Sequence, residues 1–175
     1  MLMEIGRVSP VTSGAVAQVE DLSVKHVRSD LAVQTLWNEI VARWGAQAQQ
    51  AEPLAEEDHG SLGCDFHFPD AQGISHALDI RVDLEGDGEG LSIEDGMWLA
   101  EYLRGVGWRT ARFAYLIHRG QIAGTFSGWR WAPYRGLNAT MDRIHLSISQ
   151  SVWGAPASIG PEVFDSTNSW GVGTI

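Results

Sequence analysis

Residues 77 to 84 read ALDIRVDL, and apolar and polar side chains alternate along this stretch. Successive side chains of a β-strand point to opposite faces of the sheet, so a period of two indicates a half-buried strand. The predicted buried face carries Leu78, Ile80, Val82 and Leu84. The predicted polar face carries Ala77, Asp79, Arg81 and Asp83. The carboxylate of Asp79 is therefore expected on the side of the sheet opposite the core.

Helices are predicted before and after this strand. LAVQTLWNEIVARW, residues 31–44, spaces its apolar side chains as one stripe of a helix, and Asp30 is a suitable N-cap. MWLAEYLRG, residues 97–105, follows a capping-box pattern that begins at Ser92. Glycine favours the ends of helices. The residues expected to end the second helix are Gly105 and Gly107.

Further strands follow the second helix. RFAYLIH, residues 112–118, reads as a strand, and Arg119-Gly120 is a plausible tight turn into QIAGTF. RIHLSIS, residues 143–149, alternates again and places Arg143 and His145 on an outward face. The order of helix, strand, helix and strands predicts an α+β fold with a small, mainly antiparallel sheet and flanking helices.

The periodic part of the chain has aperiodic ends. Residues 1–28 carry little periodicity and are predicted to form an N-terminal arm. Residues 29–150 hold all the predicted helices and strands and form the predicted domain. Residues 151–175 are rich in Gly, Ser and Pro and are predicted to form a C-terminal extension outside the core.

The composition argues against several classes of protein. Acidic residues outnumber basic ones 22 to 12, for a formal net charge of -10, so general nucleic-acid binding is not expected. The single cysteine, Cys64, allows no intrachain disulfide, and its expected role is that of a small buried residue. No apolar run approaches the roughly 18 residues of a membrane span. The N-terminus lacks the pattern of a secretory signal, so synthesis in the cytoplasm is expected.

Three side chains form a candidate metal site. Asp79 and His145 lie on the polar faces of two predicted strands, and His67 precedes the first strand across a turn. Two imidazoles and one carboxylate, with a fourth position for water, are a common catalytic zinc set. Asp142, at the entrance of the last strand, is placed to accept a proton from that water. The same residues are also consistent with a turn histidine, an aspartate paired with Arg81, and a surface histidine.

The motifs resemble those of a group of actinobacteriophage proteins. The stretches on which the resemblance rests are H-x-P-D-x-x-G-x-x-H-A-L-D-I from residue 67, YLIHRGQI at 115–122, WRWAPYRG at 129–136 and RIHLSI at 143–148. Their order and spacing are similar to those of zinc D-alanyl-D-alanine carboxypeptidases and related peptidoglycan endopeptidases. The resemblance covers about residues 60 to 150 and implies a hedgehog/DD-peptidase-like fold.

The resemblance implies roles for individual residues. The zinc ligands would be His67, Asp79 and His145, and Asp142 would be the general base. His76 falls at a position that varies in the family and would be a pocket residue or a substitute ligand.

Four positions depart from the family pattern. Arg143 stands where the family has the first histidine of H-x-H, and it would bind a substrate carboxylate or stabilise the oxyanion. It is equally compatible with a domain that has lost its activity. His118 replaces a tryptophan and is not expected to be a ligand. The remaining departures are Asp65 for serine and Phe68 for asparagine.

The resemblance implies a zinc-dependent phage peptidase that cuts the stem peptide of bacterial peptidoglycan. The implied locations are the virion, near the tail tip, or the host cytoplasm before release of a lysis enzyme to the wall. In the virion, the two terminal arms would contact other tail proteins. The alternative is a non-catalytic minor tail or wall-binding protein on a peptidase-derived fold.

Two other segments leave their roles open. Trp129, Trp131 and Tyr134 either line a groove for a peptide or glycan or brace the sheet as a packed loop. Acidic residues alternate through residues 83–89, and carboxylates are ligands of the type that calcium prefers. However, their spacing fits no EF-hand loop, and the sequence predicts a solvated acidic loop here.

Overall fold

The protein folds into two helices and a five-stranded antiparallel sheet in the part of the chain that the structure describes. This structure is a computed structural model, and the residues it describes are 28–51, 73–136, 141–148 and 166–173. The predicted α+β class and the mainly antiparallel sheet are confirmed. The predicted N-terminal arm, apart from Arg28, lies outside the described residues.

Helix α1, Leu31–Trp44, begins where the sequence predicts. The carboxylate of Asp30 accepts a hydrogen bond of 2.7 Å from the backbone N–H of Val33, which confirms it as the N-cap. Gly45 ends the helix at φ 58°, a left-handed conformation that glycine adopts without strain. The buried residues of the helix are Ala32, Val33, Leu36 and Ile40.

Helix α2, Ile93–Thr110, runs further than the sequence predicts. Ser92 caps its start and accepts a hydrogen bond from the backbone N–H of Asp95, as expected. The prediction that Gly105 and Gly107 end the helix is wrong, because both lie in its interior. Gly107 serves packing instead, since a Cβ there would lie only 2.2 Å from the indole ring of Trp129.

Replacing Gly107 with alanine is expected to lower the free energy of unfolding by about 2 kcal/mol, because overpacking against a rigid indole outweighs the gain in helix propensity. The matched control is Gly105→Ala, where an added Cβ meets mainly the flexible end of Arg109, at 3.1 Å. That variant is expected to gain roughly 0.5–1 kcal/mol. Urea denaturation of both variants measures the difference, and equal effects would contradict the packing role of Gly107.

The described strands form two sheets. β1 (Arg28–Ser29) pairs in parallel with β2 (Ile74–Ser75). The larger sheet contains β3 (Ala77–Arg81), β4 (Tyr115–His118), β5 (Gln121–Gly124), β6 (Ala132–Pro133) and β7 (Arg143–Ser147). Its order is β3-β7-β4-β5-β6, so β7, the last strand, inserts between β3 and β4. The two metal-capable residues of β3 and β7 are therefore on adjacent strands.

The turn between β4 and β5 has the predicted position. Arg119 and Gly120 both have positive φ, at 48° and 69°, as in the type I′ turns that suit two-residue hairpins. The prediction for the end of the first strand is wrong at Leu84. The ladder of β3 ends at Arg81, and Leu84 lies 38% exposed in the following loop instead of facing the core.

Both faces of the larger sheet carry buried side chains. One face packs against α1 and α2 through Leu78, Ile80, Ile144 and Leu146. The opposite face carries a smaller apolar cluster of Ala77, Ala114, Tyr115 and Ile117, against which Ile122 and Tyr134 pack. The prediction of a solvated second face is wrong, because Asp79, Arg143 and Ser147 on that face are all less than 9% exposed. We call it the tyrosine face.

The C-terminal residues 166–173 belong to the packed body of the protein. The sequence predicts residues 151–175 to lie outside the core, but Trp170 is 3% exposed and Val172 is fully buried in the main cluster. Two buried apolar side chains among glycines and serines give no periodic signal, so the pattern could not reveal them.

Side chains of both helices, together with Arg112 after α2, hold this segment in place. The carboxylate of Glu39 accepts hydrogen bonds from the backbone N–H groups of Trp170 and Val172, at 2.8 and 2.9 Å. The hydroxyl of Tyr102 donates to the carbonyl of Trp170, at 2.9 Å. The guanidinium of Arg112 lies 4.3 Å from the centre of the Trp170 ring. The segment thus connects α1, α2 and the residues that lead into β4.

Candidate functional site

Asp79 and His145 lie directly opposite each other on adjacent strands. The antiparallel register of β3 and β7 pairs their Cα positions, so both side chains rise from the tyrosine face. The Asp79 carboxylate is 5% exposed, and its Oδ1 lies 2.8 Å from Nδ1 of His145. An alternating pattern on each strand predicts the face of each residue, and the register brings the two together.

Tyr115 completes a line of three polar groups. Its hydroxyl lies 3.4 Å from Nε2 of His145, and the two rings stack with centroids 5.6 Å apart. Tyr115 itself is 4% exposed. No motif in the sequence singles out Tyr115. The alternation of RFAYLIH could have placed it on one face with Ile117, but only the pairing of β4 with β7 places it beside His145.

Arg143 joins the two predicted acidic residues of the site. Its Nη1 donates to Oδ2 of Asp79 at 3.3 Å, and its Nε and Nη2 donate to the carboxylate of Asp142 at 3.1 and 3.3 Å. Burial alone lowers the pKa of this guanidinium. The hydrogen bonds and charges of Asp142 and Asp79 outweigh the burial and raise the pKa above its usual value. Arg143 therefore remains a cation between two carboxylates.

Four of the five residues predicted for the site thus lie together: Asp79, Asp142, Arg143 and His145. The fifth, His67, lies outside the described residues, as do Cys64, Asp65 and Phe68. A carboxylate and an imidazole facing each other are two of the donors found in catalytic zinc sites. Within the described ranges, no group of three or more His, Cys, Asp or Glu side chains is placed to hold a metal. The described residues therefore supply two donors of these types, and whether they bind a metal stays a prediction.

His76 contacts the residue that caps helix α1. Its Nδ1 is 2.9 Å from Oδ2 of Asp30, the N-cap of α1. Burial raises the pKa of the Asp30 carboxyl, although its hydrogen bonds with Val33 and His76 act in the opposite direction. The contact with Asp30 therefore connects His76 to the start of helix α1.

His118 is a buried histidine on the helix side of β4, two residues after Leu116. Its Nδ1 lies 3.2 Å from the carbonyl oxygen of Arg143, and its Nε2 is buried without a hydrogen-bond partner in the structure. Burial lowers the pKa of His118, and the nearby charge of Arg119 lowers it further. A neutral imidazole that donates from Nδ1 accounts for this environment.

We expect acid to destabilise the protein partly through His118. Between its lowered folded pKa and the usual value of about 6.5, the unfolded chain binds one more proton than the folded chain. The stability contributed by neutral His118 is therefore present above that range and lost as pH falls through it, at up to about 1.4 kcal/mol per pH unit. Urea denaturation of wild type and His118→Leu at several pH values from 7.5 to 5 tests this. The variant should become relatively more stable as pH falls, and a constant difference would contradict the assignment.

The aromatic loop mainly braces the fold. Trp129 is 5% exposed and packs edge-on against Phe113, with ring centroids 4.7 Å apart. The indole N–H of Trp131 donates to the carboxylate of Glu101 on α2. Of the two interpretations left open by the sequence, a packed brace describes Trp129. Tyr134 instead lies against the apolar cluster of the tyrosine face.

The acidic loop after β3 is held together by its own groups. Both carboxylate oxygens of Asp83 accept backbone N–H groups, from Gly86, Asp87 and Gly88, at 2.6–3.1 Å. Hydrogen bonds from these N–H groups lower the pKa of the Asp83 carboxyl. Arg81 pairs with the carboxylates of Asp87 and Glu89. These contacts describe a self-bonded turn rather than carboxylates converging on a cation.

Comparison of the chain with protein-family models, with curated proteins and with solved structures finds no match. Neither α1 nor α2 is long and apolar enough to cross a membrane. The structural basis for a functional inference is therefore the cluster of Asp79, Asp142, Arg143 and His145 on the tyrosine face.

Proposed function

We propose that this protein is a zinc-dependent peptidoglycan peptidase, a DD-carboxypeptidase or an endopeptidase. The observation that supports this most directly is the 2.8 Å approach of the Asp79 carboxylate to the His145 imidazole on adjacent strands. These are the donor types that the sequence motifs predict for zinc, with His67 as the proposed third ligand. The antiparallel sheet with both helices on one face is compatible with the proposed hedgehog/DD-peptidase-like fold.

The residues around this pair suit peptide hydrolysis. Zinc, when bound, would polarise the scissile carbonyl and make a water molecule acidic enough to attack it. The Asp142 side chain is 51% exposed, so water reaches its carboxylate, which would accept the proton of the attacking water. Arg143 holds the Asp142 carboxylate by two hydrogen bonds and fixes its direction. It also supplies positive charge beside Asp79, where a substrate carboxylate or an oxyanion would be stabilised.

The proposed biological setting follows the resemblance of the motifs to actinobacteriophage proteins. The enzyme would act on the stem peptide of the bacterial wall, either from the phage tail during entry or as a lysis enzyme released from the host cytoplasm. Residues 1–28 would contact other tail proteins in the first setting. The C-terminal residues 166–173 are bound to the domain, so this part of the chain supports an arm less well.

One observation favours the non-catalytic alternative, a minor tail or wall-binding protein. Each carboxylate oxygen of Asp79 has a protein partner, His145 on one side and Arg143 on the other. A cluster that satisfies its own charges can act as structure alone. Such a protein would retain the fold and bind peptidoglycan without cutting it.

The decisive experiment measures zinc per chain by elemental analysis after purification and zinc supply. About one zinc per chain is expected for wild type and for His76→Ala, whose imidazole contacts Asp30 at the start of α1. Loss of zinc is expected in His67→Ala, Asp79→Ala and His145→Ala, with circular dichroism to show that each variant is folded. A folded wild type without zinc would contradict the proposal.

Peptidoglycan digestion then separates the two candidate functions. Zinc-loaded wild type should release new termini from purified wall fragments. Asp142→Asn preserves a side chain that Arg143 can hold but removes the base, so a loss of about 10²–10⁴ in kcat is expected. Zinc binding and wall binding without any cleavage would support the non-catalytic alternative instead.

A further inference from the structure

The imidazole of His145 is held from both ends. Nδ1 faces the carboxylate of Asp79 at 2.8 Å, and Nε2 faces the hydroxyl of Tyr115 at 3.4 Å. All three groups lie on neighbouring strands of one sheet, in the order β3, β7, β4. Tyr115 and Asp79 are both buried, at 4% and 5% exposure, so the ring cannot turn without losing protein contacts.

The two ends of the imidazole place different demands on its protons. The Asp79 carboxylate, beside the guanidinium of Arg143, can only accept a hydrogen bond. A neutral imidazole in contact with it therefore carries its proton on Nδ1, and its Nε2 is an acceptor. The hydroxyl of Tyr115 can donate to that nitrogen.

A ligand that takes the Nδ1 lone pair reverses these roles. The single proton of the neutral imidazole then lies on Nε2, which becomes a donor. The Tyr115 hydroxyl can partner Nε2 in this state too, because its oxygen can accept a hydrogen bond from the Nε2–H. A tyrosine can therefore satisfy Nε2 in both tautomers, which a carboxylate or an ammonium group cannot do.

We propose that Tyr115 is a positioning residue that holds the His145 imidazole with Nδ1 towards Asp79, and that it thereby sets the affinity of this pair for zinc. The inference rests on the proposed zinc site. Partners of this kind, on the far nitrogen of a ligating histidine, fix the tautomer and ring orientation, and their loss typically weakens metal binding by about 10–100-fold.

The test uses the full chain and two tyrosine variants that differ only in location. Tyr115→Phe removes the hydroxyl facing His145 and keeps the stacked ring. Tyr102→Phe removes a hydroxyl on the helix side, where it donates to the carbonyl of Trp170. Zinc dissociation constants are measured for wild type and both variants by competition with a chromophoric chelator. Melting temperatures of the zinc-free proteins report any purely structural loss.

The expected result is a Kd weakened about tenfold in Tyr115→Phe and unchanged in Tyr102→Phe, whatever the shifts in melting temperature. In the zinc-free protein, the ¹⁵N resonance of His145 Nε2 should also move in Tyr115→Phe, because Nε2 loses its hydroxyl partner. The phenyl ring keeps its ring current, so the change in this resonance reports the lost hydroxyl. A wild type that binds zinc while Tyr115→Phe binds it equally well would overturn this inference and leave the zinc site standing. A wild type that binds no zinc would overturn the proposed function, and the role of Tyr115 with it.

Discussion

Replacing Trp170 with alanine is expected to lower the free energy of unfolding by about 3–5 kcal/mol. The indole is 3% exposed and packs on Phe113, with ring centroids 5.7 Å apart. Its N–H donates to the carbonyl of Ala32 at 3.0 Å, and Arg112 covers the ring. The variant would lose these contacts and leave a cavity between the first helix and the strand that follows the second. Urea denaturation of wild type and variant measures the loss.

Trp108→Ala is the matched control for this prediction. Trp108 lies on α2 and is 71% exposed, so the same substitution is expected to change stability by less than about 0.5 kcal/mol. Similar losses in the two variants would mean that residues 166–173 contribute little to the folded core. In that case the C-terminal residues would behave as the extension that their composition suggests.

Periodicity predicted the helices and strands because it reports which faces are buried. The sequence also predicts the caps at Asp30 and Ser92 and the turn at Arg119-Gly120, because each depends only on neighbouring residues. The errors fall where tertiary contacts override a local preference. A glycine at position 107 suggests the end of a helix. Within the folded helix, however, the absence of a side chain at Gly107 leaves room for the indole of Trp129.

The candidate site divides in the same way. Alternation predicts that Asp79 and His145 each lie on one face of a strand, and the strand order then makes them neighbours. Nothing in the pattern indicates that this face is buried, because the burying residues come from β4 and from the loop that carries Tyr134. For this reason the sequence pattern does not reveal the role of the Tyr115 hydroxyl. A residue that acts through strand pairing has no signature in its own segment.

Replacing Asp79 with asparagine is expected to lower the stability of the zinc-free protein by about 3–5 kcal/mol, because it removes one partner of a buried ion pair. Arg143 is 8% exposed, and Asp79 is 5% exposed. The control is Asp142→Asn, which touches the same guanidinium from a half-exposed position and should cost less than about 1 kcal/mol. Equal losses would show that the buried carboxylate has no special role.

A double-mutant cycle identifies the source of this stability. Arg143→Met combined with Asp79→Asn should cost less than the two single losses together, with a coupling energy of about 1–3 kcal/mol. Strict additivity would mean that the 3.3 Å contact contributes nothing of its own.

Zinc then relates the cycle to the two candidate functions. At about 100 times its Kd, a ligand of the folded state alone adds roughly 2.7 kcal/mol to stability. Wild type and Asp142→Asn should both gain this stabilisation if Asp79 and His145 ligate zinc, and Asp79→Asn should gain none. Stability that depends on Asp79 and Arg143 but does not change with zinc would identify the cluster as structural. Since Asp79 stabilises the fold under either function, only the difference between the zinc-loaded and zinc-free proteins separates the peptidase from the non-catalytic tail or wall-binding protein.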